Sequence, residues 1–215
     1  MFRFGYSKKL LAPLFGGVLI LSGMVVTAAH GQGPVTNHVK MQTSLGDIVI
    51  ELNRQKAPVT CENFMRYVNK GFYNGTIFHR VIPNFMIQGG GFTSDMQKKE
   101  ADPPIRNEWT NGLKNTRGSI AMARLGGRPD SATCEFFINV QHNPGLDHPR
   151  DGAGYAVFGH VVEGLEVVDR IKVVRTTFRG ASRDVPTEPV VIKQIVGLDD
   201  RGAGGEAGEA GSSSP

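Results

Sequence analysis

Phe78-His79-Arg80-Val81-Ile82-Pro83-Asn84-Phe85-Met86-Ile87-Gln88-Gly89-Gly90-Gly91-Phe92 is the stretch on which the reading of this chain turns. It holds two short apolar runs, 76–82 and 85–89, separated by a turn. Short runs rich in β-branched and aromatic residues and bounded by turn signals read as strands. One cation, Arg80, stands among these apolar side chains, followed by Phe85, Met86 and the amide of Gln88. Taken alone, an arginine in an apolar strand is more often an edge residue with its head in water than a catalyst. Gly89-Gly90-Gly91 has the look of a phosphate cradle, but neither a lysine nor a helix start follows at the required distance. Close approach of this backbone to a bound peptide suits the run better.

Working outward, Lys40-Met41-Gln42-Thr43 and Ile48-Val49-Ile50-Glu51-Leu52 form a hairpin candidate around the Gly46-Asp47 turn, with Ile48, Ile50 and Leu52 on one face. Ala57-Pro58 opens a helix, because proline at the first helical position loses an N–H that has no partner there anyway. Cys61, Phe64, Met65 and Val68 share one face of it, and Gly71 is placed to end it. Further apolar runs at 119–124, 135–140 and 155–161 precede a short helix at about 163–171 and a final strand over 189–196. Many short strands with two helices point to a mainly β protein, a closed barrel capped by helices. Periodicity alone does not separate a barrel from a sandwich.

The chain has 215 residues, 40% of them hydrophobic, enough for one buried domain with extensions. With 28 glycines, 12 prolines and 8% aromatics it is turn-rich rather than a helical bundle. Its formal charge of +4 is poor evidence for a nucleic-acid surface, because Arg3, Lys8 and Lys9 crowd the start and no acidic residue precedes Asp47. That cationic start leads into an apolar stretch from Leu10 and small residues at Thr27, Ala28 and Ala29, the pattern of a secretory signal. Residues 1–31 are therefore read as an export signal cut after Ala29 or Gly31, with a retained anchor as the alternative. Periplasmic localisation follows from that reading. No cysteine follows the apolar run, against a lipoprotein anchor. Cys61 and Cys134 read as two packed thiols rather than a bridge, and neither forms a Cys-x-x-Cys pair that would suit structural zinc. No metal or other cofactor is expected. Residues 198–215, rich in Gly, Ala, Glu and Ser, lack anything to anchor a core and read as a disordered tail.

Three blocks carry a resemblance. The window from Phe78 is followed by Phe136-Phe137-Ile138-Asn139-Val140, then by Leu146-Asp147-His148 and Tyr155-Ala156-Val157-Phe158-Gly159. In content and order they resemble the cyclophilin-type peptidyl-prolyl isomerases, over residues 36–197. The resemblance implies a closed eight-stranded antiparallel β-barrel with a helix at each end, acting on proline-containing segments, here of exported proteins, and assisting their folding. A monomer is expected because nothing in the sequence suggests an obligate interface. It implies Arg80 as the catalytic arginine and Phe85, Met86, Phe137 and Leu146 as the apolar pocket for the proline ring. The resemblance further implies that Gln88 bonds the substrate backbone, that Ala123 and Arg124 present backbone to the residue before proline, and that His79 supports the arginine.

Three positions depart from the animal cytosolic pattern. Gly145 stands where a tryptophan is usual, so weak binding of cyclosporin-type macrocycles is expected. Tyr155 replaces a histidine. Glu135 replaces a glutamine, and its carboxylate is expected to pair with Arg124 or bias Arg80, favouring basic substrates. The loop Arg124–Thr133 is longer, resembling bacterial exported members. Ser131, His142 and Asp147 lack the nucleophile elbow of a hydrolase, and His142, His148 and His160 lack metal-ligand spacing and read as surface or barrel-end residues. A non-catalytic cyclophilin-like binding module or chaperone for proline-containing segments is the alternative to an enzyme.

Overall fold

The structure, a computed structural model, describes residues 37–148 and 151–198. The expected export segment at 1–31 lies outside these residues, as does the tail beyond Leu198. Eight strands close a barrel: β1 (His38–Thr43), β2 (Gly46–Leu52), β3 (Thr76–Ile82), β4 (Met86–Thr93), β5 (Ser119–Met122), β6 (Phe136–Asn139), β7 (Val157–Glu163) and β10 (Val191–Leu198). The order around the barrel is β1-β10-β3-β4-β6-β5-β7-β2, and the ladder pairs are antiparallel. Closure pairs every strand on both sides, so the barrel has no free edge. This is the barrel that the family resemblance implied.

Helix α1 (Pro58–Asn69) places Pro58 in its first turn after Ala57. It lacks a side-chain cap of its own, and the cap comes from far along the chain. Glu108 accepts the Val59 N–H at 3.2 Å, the Thr60 N–H at 2.9 Å and the Thr60 hydroxyl at 2.7 Å. A carboxylate there also meets the positive end of the helix dipole. At the other end Gly71 takes φ of 61°, and its N–H bonds the Val68 carbonyl while Phe72 N–H bonds that of Tyr67. That pattern is a Schellman stop, and its usual hydrophobic contact is present, with Phe72 and Tyr67 rings 4.7 Å apart. Phe64, on the buried face of α1, lies 5.2 Å from Phe158, 5.3 Å from Tyr73 and 5.8 Å from Phe136, joining the helix to the barrel interior.

Helix α2 (Leu165–Lys172) buries Val167, Val168 and Ile171. Cys61 and Cys134 are buried and unbridged, as their surroundings predict. Several expectations shift. The β1–β2 turn is Ser44-Leu45, with Gly46 already paired to Thr43. Val49, expected on the solvent side, is buried. A separate two-stranded sheet, β8 (Thr176–Arg179) with β9 (Ser182–Pro186), has no counterpart in the sequence reading.

Candidate active site

Register builds the site. Arg80 pairs with Gln88 across β3–β4, Gln88 with Phe137 across β4–β6, and Phe137 with Ala121 across β6–β5. Directly paired residues lie on one face of a sheet. Alternation sends Ile87, Ile120, Ile138 and Phe158 to the interior cluster, and Met86, Ala121, Phe137 and Val157 to a second, outer cluster. On that outer face opens a cleft of about 130 Å³ lined by Arg80, Phe85, Met86, Gln88, Ala123, Arg124, Phe137, Leu146 and Tyr155. Nine of the eleven residues singled out from sequence meet there; His79 and Glu135 stand behind Gln88 instead. Met86 and Phe137 are buried, and Tyr155 meets Phe137 edge-on at 5.6 Å.

The Arg80 side chain is 41% exposed, and its Nε lies 3.9 Å from Asp184 Oδ2. Nε is the nitrogen set back from the tip of the guanidinium. Asp184 belongs to β9 and holds a left-handed φ of 60°. Such a conformation is uncommon outside glycine, though aspartate tolerates it better than most.

Glu135 does not pair with Arg124, and this expectation is corrected. Its Oε2 accepts from Gln88 Nε2 at 2.9 Å and lies 3.3 Å from His79 Nε2. Burial works to raise the Glu135 pKa, but the hydrogen bond and charge of His79, then the Gln88 amide, outweigh it and hold the carboxyl below its ordinary range. Arg124 is taken by Asp151, in a two-pronged pair at 2.8 and 2.9 Å. Its remaining bonds go to the carbonyls of Gly154, Leu125 and Ala153, so all five guanidinium donors are used. The guanidinium also lies 4.5 Å over the Tyr155 ring. The two-pronged pair with Arg124, and then the Gly127 N–H, draw the Asp151 carboxyl well below the usual carboxylate range. The Arg124 side chain therefore shapes a wall of the cleft and has no guanidinium donor left for a ligand.

The glycine run is also corrected. Added Cβ atoms at Gly89, Gly90 and Gly91 would come within 2.9 Å of Ile77 O, 2.8 Å of Phe136 and 2.6 Å of Glu135. The run makes room for the barrel's own groups rather than for a peptide.

Behind the cleft lies a buried amide network that the sequence reading missed. Asn143 Nδ2 donates to Phe85 O and to Asn139 Oδ1, both at 2.7 Å. Asn139 donates to Asn115 Oδ1 at 3.1 Å and Ser119 Oγ at 2.9 Å, and Asn115 donates to Asp147 at 2.9 Å. The network fixes the backbone of Phe85 and the 3₁₀ turn Pro144–Leu146, two apolar walls of the cleft. A signal existed: asparagine inside the apolar block Phe136-Phe137-Ile138-Asn139 must find partners when buried. Asp184 left no comparable trace. His142, His148 and His160 are exposed.

Comparison with known proteins agrees with this architecture. The profile of the family described as "Cyclophilin type peptidyl-prolyl cis-trans isomerase/CLD" matches residues 38–196. "Peptidyl-prolyl cis-trans isomerase A" of Dickeya dadantii is 52% identical over 187 residues, which is 87% of this chain and 96% of that protein. "Peptidyl-prolyl cis-trans isomerase B" of Escherichia coli is 52% identical over 160 residues, 73% of this chain and 97% of that protein. Among solved structures, a cyclophilin-type isomerase of Cryptosporidium parvum, determined in the presence of the dipeptide Ala-Pro, superposes with a TM-score of 0.63 at 27% identity, covering 76% of this chain and 99% of that one. The chain belongs to the cyclophilin-type peptidyl-prolyl cis-trans isomerases. Its activity is accordingly the rotation of X-Pro peptide bonds.

Proposed function

We propose that the cleft on the outer face of β3, β4, β6 and β5 binds the proline of a peptide segment and that Arg80 catalyses rotation about the preceding bond. Amide resonance sets a barrier of about 18–20 kcal/mol and makes uncatalysed exchange take tens to hundreds of seconds. In the twisted state the prolyl nitrogen regains its lone pair. A donor aimed at that nitrogen therefore favours the transition state over either planar isomer. Arginine suits the task because it stays protonated and needs no general base. Met86, Phe137, Phe85 and Leu146 supply an apolar seat for the ring, and a seated peptide would cover Arg80 and exclude water from its hydrogen bond. Asp184, whose Oδ2 lies 3.9 Å from Nε, steadies the guanidinium by its charge.

The observation that carries this reading is the cross-strand row Arg80, Gln88, Phe137, which brings a cation, an amide and an aromatic ring to one cleft. The binding-module alternative rested on Glu135 disturbing Arg80, yet Glu135 is held by Gln88 and His79. The test is isomerisation of an Ala-Pro peptide measured by NMR exchange. The Arg80→Ala variant is expected to lose about 10²-fold or more of kcat/KM, on the scale of removing one transition-state donor, with Arg80→Lys intermediate. Full activity in Arg80→Ala would reject Arg80 as the catalyst, and peptide binding without turnover by the wild type would establish the binding module.

We further propose that the substrates are exported proteins and that the chain acts in the periplasm, on the strength of Arg3, Lys8, Lys9 and the apolar stretch from Leu10 to Ala29. The open space around Gly145 supports weak binding of cyclosporin-type macrocycles, since nothing lies within 4 Å of a Cβ built there.

A further inference from the structure

Glu135 stands one residue before β6, wedged between two donors. Its Oε2 receives Gln88 Nε2 at 2.9 Å and faces His79 Nε2 at 3.3 Å, with the His79 and Glu135 side chains only 9% and 19% exposed. The space for the carboxylate comes from Gly91, where a Cβ would fall 2.6 Å from Glu135 Cγ. The imidazole of His79 is packed against Phe92, with ring centroids 4.6 Å apart. Its Nδ1 is buried with no hydrogen-bond partner among the described residues, while its Nε2 faces Glu135. The carboxylate is thus immobilised from both sides.

An ionised carboxylate only accepts hydrogen bonds, whereas a side-chain amide has a donating end and an accepting end. Gln88 must therefore turn its NH₂ toward Glu135, which leaves its Oε1 on the other side, where Gln88 lines the cleft. We propose that Glu135 is a positioning residue for peptide binding: it fixes the Gln88 amide with its carbonyl oxygen toward the cleft, as an acceptor for a backbone N–H of the bound segment. A neutral amide at position 135 would accept or donate equally well and leave Gln88 free to take either orientation. The consequence is a rule of specificity. A segment that lacks the N–H opposite Gln88, because that residue is N-methylated or is a second proline, leaves a buried acceptor unpaired and is disfavoured. This inference rests on the reading of the cleft as the peptide site.

The experiment compares the wild type, Glu135→Gln and Glu135→Ala on peptides N-methylated in turn at each residue flanking the proline. In the wild type, methylation at one of these positions is expected to raise KM about tenfold, with kcat little changed. The same methylation should cost less than about threefold in Glu135→Ala, with Glu135→Gln between the two. Glu135→Gln keeps the size of the side chain, so it answers the question even if Glu135→Ala fails to fold. Side-chain ¹⁵N spectra give a readout independent of activity: the two Gln88 carboxamide protons should be well separated in the wild type and converge in Glu135→Ala. Equal methylation sensitivity in all three proteins, or an unmoved Gln88 signal, overturns the role of Glu135 while an inactive Arg80→Ala leaves the cleft reading intact. Full activity in Arg80→Ala, with no methylation having any effect, overturns both.

Discussion

Arg80 and Glu135 stand near each other in the site and in opposite electrostatic situations. Arg80 is 41% exposed, so its pairing with Asp184 is screened by solvent and serves orientation more than stability. Glu135 is sheltered, and its ionised form is favoured by the fold, because His79 and Gln88 outweigh the cost of burial. A carboxyl held below its unfolded value stabilises the folded state fully above that value, about 4.5, and the stabilisation disappears as pH falls through the lower folded value. The wild-type Tm is therefore expected to drop further than that of Glu135→Gln between about pH 6 and pH 3. Parallel acid limbs in calorimetry would remove Glu135 from the account. The same two residues mark what the sequence discloses. Arg80, Phe85, Met86 and Gln88 were legible because one local block resembling the family places them on paired strands, and Phe137 because a second block does the same. The partner of Arg124 was not, since Asp151 lies 27 residues further on and only the loop's path brings it back.

Among the elements, α1 shows how a helix can depend on residues far from it. Its N–H groups at Val59 and Thr60, in the first turn of the helix, are bonded by Glu108, 49 and 48 positions away. Glu108→Ala leaves both donors and the Thr60 hydroxyl without that partner. It is expected to destabilise the protein by about 1–2 kcal/mol, the usual worth of a lost cap. Urea unfolding should show a lower midpoint at unchanged slope, and an unchanged midpoint would mean that water replaces the carboxylate at no cost. The start and stop of this helix were readable from Pro58 and Gly71; the cap was not, because it is a tertiary contact. The sheet of β8 and β9 escaped for a different reason. Thr176–Arg179 is almost wholly exposed and lacks the apolar alternation by which a half-buried strand announces itself. Yet it is β9 that delivers Asp184 to Arg80.

At the scale of the molecule, closure of the barrel seals both thiols. Burial pushes the Cys61 thiol up to about 12 and raises that of Cys134 as well, so neither forms thiolate readily. A thiol reagent such as Ellman's is expected to leave the native protein unmodified and to titrate both cysteines of the chain once denaturant opens it. Prompt reaction under native conditions would show that the wall near Cys61 or Cys134 opens locally. The barrel itself was reached from sequence through the family resemblance, since strand periodicity alone left a sandwich equally open. Around the cleft, though not at Val49, alternation did show which residues face which way. Phe137 belongs to the cleft cluster and Ile138 to the interior, and the same division holds for Met86 and Ile87 and for Val157 and Phe158. Neighbouring codons in these strands thus answer to different selective demands. A change on the cleft face alters the cleft while the next residue, one Cα away, stays constrained by folding, so the barrel wall insulates the evolution of that surface from the requirement to remain folded.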